Sequence, residues 1–197
     1  MKVSLGWSGL TVGIALAIGV WQFSQTGAVY APGWLTEGLL RTAWVRTQTS
    51  GRRVRPWPWA NTWPLARLTA SQLNFEQIVL AQANEEISPF ALGHLDSSVL
   101  PGEIGNSILR VHRNTYFDFL RLLKDGDALI LESLRSGRWY YQVSGIFIVD
   151  KTNIRLLESS LNRRLTLVSC YPCTDPHQDS LRYVVVAEEV EKIVLSQ

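Results

Sequence analysis

Two cysteines, Cys170 and Cys173, stand three positions apart in TLVSCYPC, residues 166–173, and they are the chain's only thiols. Such a pair can exchange disulfides, ligate a metal, close a bridge, or supply one nucleophile with a neighbour. Thiol–disulfide exchange favours a first cysteine at a helix N-terminus, where the dipole supports the thiolate. Here Cys173 is followed by the polar stretch TDPHQDS, with Pro176, and then a strand-like run. A structural zinc needs about four ligands. His94, His112 and His177 are the only imidazoles, and no second pair at zinc-ligand spacing accompanies the cysteines.

A cysteine nucleophile is the remaining chemistry. Side chains alternate along a strand, so Thr166, Val168 and Cys170 share one face of TLVSC. Arg182, Val184 and Val186 share one face of LRYVVVAE. If the two runs pair antiparallel, Cys170 and Arg182 become cross-strand neighbours, and a guanidinium beside sulfur can steady a developing oxyanion. Such a nucleophile also needs an imidazole. His112, ending SILRVH with Ile108 and Arg110 on its face, is one candidate, and His94 in ALGHLDSS is its rival. His177 falls in the loop between the two runs and reads as a solvated residue.

The elements that must position these groups read as short strands: 75–83, 107–112, 128–134, 138–150, 164–170 and 181–190. They are rich in β-branched and aromatic residues and are divided by the turn signals LPGE, KDGD and RSGR. One helix is predicted over 115–123, capped by Thr115 with Asp118 in the capping-box position. No βαβ alternation appears, so the fold class is all-β with minor helices, an antiparallel barrel or sandwich. The net charge of +2 gives no reason to expect nucleic acid as a partner.

The front third differs. Seven of the eight tryptophans lie at or before Trp63. Residues 5–23 carry no charge, and nineteen helical residues at about 1.5 Å each come close to spanning a bilayer core. Trp7 and Trp21 sit near the ends of this run, Lys2 precedes it, and no Lys or Arg follows until Arg41. This predicts a transmembrane anchor with a cytoplasmic N-terminus and an exported remainder. A cleaved signal peptide ending at Ala31 is the alternative, with Pro32 immediately after it. Residues 33–47 read as a helix with a broad apolar side, a stalk or an interfacial helix. The segment RPWPWANTWP is too rich in proline to be helical throughout, and its tryptophans are expected to pack on the domain, with contact to lipid headgroups as the alternative.

In this order and spacing, several pieces together resemble the sortases of the Gram-negative, marine-proteobacterial type. The pieces are Trp21-Gln22, PWPWA at 56–60, LPGEIGN at 100–106, His112-Arg113 before a Phe-bearing helix, TLVSCYP at 166–172 and LRYVVVA at 181–187. The resemblance implies an eight-stranded closed barrel over 65–197, a helical and Pro/Trp-rich linker over 28–64 and an anchor over 1–27. It implies a Cys-His-Arg site of Cys170, His112 and Arg182, with no metal or organic cofactor. The implied reaction is transpeptidation. Cys170 attacks an LPXTG-like sorting signal on a substrate protein, a thioester forms, and an amine acceptor resolves it. An ordinary thiol, with a pKa of about 8.5, is only slightly ionised at neutral pH, so His112 and Arg182 would have to raise the reactive fraction. The implied setting is the inner membrane, with the barrel in the periplasm.

The chain departs from the family pattern at Val111, where Gly is usual, and at Asn114, where Asp is usual. Ser169 stands for Thr and Cys173 for Phe. A bridge between Cys170 and Cys173 would silence the nucleophile. A peptide-binding relative without catalysis and a thiol oxidoreductase are the competing readings.

Overall fold

The computed structural model describes residues 12–13, 33–82, 91–112, 116–153, 158–172 and 180–191. Among them are helices α1 (Gly33–Ser50) and α2 (Phe117–Leu122) and eight strands. The strands are β1 (Pro64–Ala70), β2 (Phe75–Leu80), β3 (Leu92–His94), β4 (Gly105–Arg110), β5 (Ala128–Ser133), β6 (Gly137–Asp150), β7 (Arg163–Tyr171) and β8 (Leu181–Glu189). They close into a barrel in the order β1-β2-β3-β4-β7-β8-β6-β5. Closure removes every sheet edge along which another chain could pair.

The barrel is not wholly antiparallel, as the sequence had suggested. The β2–β3 and β4–β7 pairs are parallel. Parallel neighbours need crossover connections. Between β4 and β7 the crossover contains α2 and the β5–β6 hairpin.

Alternation explains which residues enter the barrel. Ala66, Leu68 and Ala70 of β1, Leu129 and Leu131 of β5, Leu165 and Leu167 of β7, and Val185 and Ala187 of β8 are buried in one core with Leu109 and Val111. Strands β1 and β3 were absent from the sequence reading. The inward residues of β1 are mostly alanine, and β3 is three residues long with a central Gly93. Helix α2 is shorter than predicted. Tyr116 is at its N-cap, without a side-chain capping bond, and Thr115 lies outside the described residues.

Turn Leu100–Glu103 closes through Glu103 N–H to the Leu100 carbonyl at 3.0 Å. Gly102 has φ +85°, which the third residue of a type II turn requires. Its Cα lies under Ser136 and the Trp139 ring, so an added Cβ would meet Ser136 Oγ at 2.2 Å.

The chain divides into two compact units, Met1–Thr36 and Glu37–Gln197, and the barrel belongs to the second. Within that unit α1 is not a stalk. Leu40 and Trp44 are buried together with Ile78 and Leu80 of β2 and Ala91, and Arg41 pairs with Glu37 and Glu76. Of the tryptophans in the Pro-rich segment, Trp57 packs against this cluster and Trp63 lies under the Arg53 guanidinium. Trp59 departs from expectation at 67% exposure. Among the described residues no helix is long and apolar enough to cross a membrane. The predicted anchor, residues 5–23, lies outside them except for Val12 and Gly13.

Candidate active site

The hairpin expected between the last two strands is the register observed, with Cys170 opposite Arg182 in the antiparallel β7–β8 pair. Directly opposed residues lie about 4.5–5.5 Å apart at Cα and point to the same face. Cys170 is half-buried, as is Arg182, whose Nη1 donates to the Leu181 carbonyl at 2.9 Å.

His112 arrives from the other side. The parallel β4–β7 ladder pairs Arg110 with Val168. It is carried one residue further by Val111 N–H to the Val168 carbonyl at 2.8 Å. His112 lies two residues beyond the end of β4, and that register, continued, leads it to the level of Cys170. Val111 is buried in the core, so His112, next in line, turns to the outer face and is half-buried. Cys170 and Arg182 therefore sit side by side on the β7–β8 face that also carries Val168 and Val184, and the β4–β7 register, continued past the end of β4, brings His112 into one row with them.

Three sets of contacts hold the row. The buried Ser169 hydroxyl donates to the Val111 carbonyl at 2.9 Å, tying β7 to the peptide group that leads into His112. The His112 carbonyl accepts from Tyr116 N–H at 3.2 Å, which joins His112 to the start of α2. Tyr116 in turn accepts a bond from Gln77 Nε2 of β2 at 2.7 Å, and Phe119 stacks on Phe75 with centroids 3.6 Å apart.

Under Cys170 and Arg182, their sequence neighbours Tyr171 and Tyr183 meet Phe117 in an aromatic group, with Phe117–Tyr183 edge-on at 5.5 Å. Burial holds the Tyr183 phenol above its ordinary pKa, with the Arg121 charge opposing and Tyr171 adding to the rise. Tyr116 is pushed to about 12 by burial and then by the Glu37 charge, against the Gln77 hydrogen bond. Asp150 lies at the end of β6 opposite Leu181. Its carboxyl is held low first by the Thr152 hydroxyl, then by the Thr152 backbone N–H, with a smaller contribution from Arg182.

The rival imidazole is elsewhere. His94 pairs with Leu109, which pairs with Leu167, three residues before Cys170 and one strand further round. It is 2% exposed, its Nε2 lies 2.9 Å from the Val99 carbonyl, and it anchors the loop after β3. Cys173 and His177 lie outside the described residues. Among the described residues no group of three or more His, Cys, Asp or Glu is placed to hold a metal. The Ser169–Val111 clamp and the aromatic base were not assigned from sequence. The hydroxyl of Ser169 was the only signal for the first, and no periodicity signals the second.

Comparison with known proteins agrees with this architecture. A family model described as a sortase domain matches residues 68–190. Sortase D of Bacillus subtilis (strain 168) is 27% identical over 124 residues, 62% of this chain and 62% of that protein. The chain thus spans a little under two thirds of the curated relative it matches. A sortase D5 transpeptidase of Clostridium perfringens superposes with a TM-score of 0.60 at 18% identity, over 87% of this chain and 95% of that one, a likeness of fold. Sortase C1 of Streptococcus agalactiae gives a TM-score of 0.58 at 26% identity, over 66% of this chain and 68% of that one. With more than half its length matched by the family model and the closed barrel in common, the chain belongs to the sortase family.

Proposed function

We propose that this protein is a membrane-anchored cysteine transpeptidase of the Gram-negative, marine-proteobacterial sortase type. On this reading Cys170 is the nucleophile, His112 the general acid and base, and Arg182 the oxyanion and backbone donor. The observation that carries the reading is the single row of His112, Cys170 and Arg182, which lets sulfur, imidazole and guanidinium act on one amide.

The Cys170 thiolate attacks the scissile carbonyl of an LPXTG-like sorting signal. The carbonyl electrons move to oxygen, where the Arg182 N–H groups face the developing charge. Collapse expels the amine, which takes a proton from the His112 imidazolium, and leaves a thioester on Cys170. An acceptor amine then adds to the thioester. His112 removes its proton, and the thiolate departs as the new amide forms. If water takes the amine's place the enzyme is a hydrolase. Ile108 and Val184 lie on this face, themselves buried, and exposed Phe147 pairs with Val184 beside them, apolar surroundings suited to an extended peptide. Every proton and charge in the cycle is handled by these three side chains, so the reading calls on no cofactor.

The same reading assigns 1–27 as an inner-membrane anchor, 28–64 as a linker and 65–197 as a periplasmic catalytic barrel. Its partners are a substrate protein with a C-terminal sorting signal and an amine acceptor. Cleavage of a fluorogenic LPXTG-type peptide tests the function. Activity should be lost in Cys170→Ala, His112→Ala and Arg182→Ala and kept in Cys173→Ala. Loss in both cysteine variants would favour redox chemistry. Binding without cleavage by the wild type would favour a peptide-binding module.

A further inference from the structure

Charge is segregated along this chain. Residues 38–75 contain six arginines and no Lys, Asp or Glu. The chain has 19 basic residues, so 13 remain elsewhere against all 17 acidic ones. Five arginines of the second unit are neutralised: Arg41 by Glu37, Arg67 and Arg138 by Glu132, Arg163 by Glu189 and Arg164 by Glu188. Arg46, Arg52, Arg53 and Arg55 are exposed instead, and no carboxylate among the described residues pairs with them.

Two further features lie in the same stretch. Trp59 is exposed, unlike Trp44, Trp57, Trp63 and Trp139. A cavity of about 640 Å³ opens beside it in sequence, lined by Arg52, Arg53, Arg135 and Trp63, and Asp96 is the one carboxylate among the described lining residues. Arg53 stacks on Trp63 at 4.6 Å. The cavity lies where β1 begins and β2 and β5 end, whereas Cys170 and Arg182 lie where β7 ends and β8 begins.

We propose that residues 45–63 form a docking surface for anionic phospholipid headgroups. The phosphates would lie among Arg46, Arg52, Arg53 and Arg55, with the Trp59 indole in the interfacial layer. Exposed arginines beside an exposed indole are the chemistry that an anionic bilayer surface selects. Proximity rests on the proposed anchor. The proposed anchor's apolar run ends at Phe23 and nine residues separate it from Gly33, so that link, fully extended, reaches at most about 35 Å to the start of α1. Each arginine near such a surface is worth roughly fivefold in partitioning, so three charge reversals weaken docking on the order of a hundredfold or more.

The test uses the full chain reconstituted in vesicles of phosphatidylcholine, with or without phosphatidylglycerol, and reads hydrogen exchange of amides 51–63. Exchange should slow on the anionic vesicles by on the order of tenfold, and the slowing should vanish at high salt. It should also vanish in the triple variant Arg52→Glu, Arg53→Glu, Arg55→Glu. If that variant melts early, the Gln triple variant serves and should lose most of the slowing. Equal exchange on both vesicles overturns the proposal. So does equal protection by glycerol phosphate in detergent, which would mark a soluble phosphate site. Alkaline extraction reads the anchor separately. A chain stripped from the vesicles removes the anchor, and salt-sensitive flotation with phosphatidylglycerol vesicles would still support docking.

Discussion

Replacing Ser169 by alanine should injure catalysis more than it injures the fold. The Ser169 hydroxyl is buried and gives its hydrogen bond, 2.9 Å long, to the Val111 carbonyl, the last peptide group before His112. Losing one such bond in the interior costs about 1–2 kcal/mol, or a fall in melting temperature of about 3–6 °C for a domain of this size. The effect on the row is larger in kind. The bond holds β7 to the segment that sets the level of His112, and a misplacement of about 1 Å at a reacting group can cost on the order of 100-fold in rate. We expect kcat for a sorting-signal peptide to fall by about 10- to 100-fold with KM nearly unchanged. Ser169→Thr, which keeps the hydroxyl, should stay within a few-fold of wild type. Val79→Ala supplies the control. Val79 is fully buried in β2, away from the row, and its truncation should cost about 2 kcal/mol without touching kcat at a temperature where both variants are folded. If Ser169→Ala lowers kcat no more than Val79→Ala does, the bond is a stabilising contact only and its positioning role is wrong.

Other consequences are independent of the chemistry. Gly102→Ala places a methyl group on Ser136 and Trp139 at positive φ and should lose about 2–4 kcal/mol, read as a lower urea midpoint; an unchanged midpoint would contradict the turn geometry. Trp44→Ala should cost about 3–5 kcal/mol and release the amides of α1 to exchange before those of β7 and β8; uniform exchange would mean that the helix does not depend on this contact. Tyr116 keeps its proton to about pH 12 when folded, while an ordinary phenol ionises near 10, so its stabilising contribution is full below pH 10 and is lost as the pH rises through 12. Tyr116→Phe should therefore flatten the decline of stability between those values, and an unaltered decline would deny that the phenol is buried.

The cysteine–arginine half of the site was legible because it is a hairpin. Once Cys170 ends one strand and Arg182 begins the next, antiparallel pairing leaves little freedom. The histidine was not legible in the same way. Choosing His112 over His94 from residues alone requires the parallel β4–β7 register, a pairing between segments more than fifty residues apart that no local pattern encodes. Resemblance pointed to His112; the register shows which of the two imidazoles follows a strand paired with β7 at the level of Cys170. Strand β1 escaped notice because Ala66 and Ala70 bury too little surface to stand out as an alternating pattern, and β3 because three residues around a glycine hold no period. The apolar side of α1 was legible, but what it covers was not. Leu40 and Trp44 read equally well as facing lipid or protein until Ile78 and Leu80 are seen beneath them.

The central claim is that Cys170 carries the acyl group. Mixing the protein with an LPXTG-type peptide, quenching in acid and weighing the intact chain tests it directly. The account predicts an added mass equal to the peptide's N-terminal fragment, mapped to Cys170, released by hydroxylamine, and absent from Cys170→Ala. An adduct on Cys173, or peptide cleavage that persists in Cys170→Ala, would contradict it.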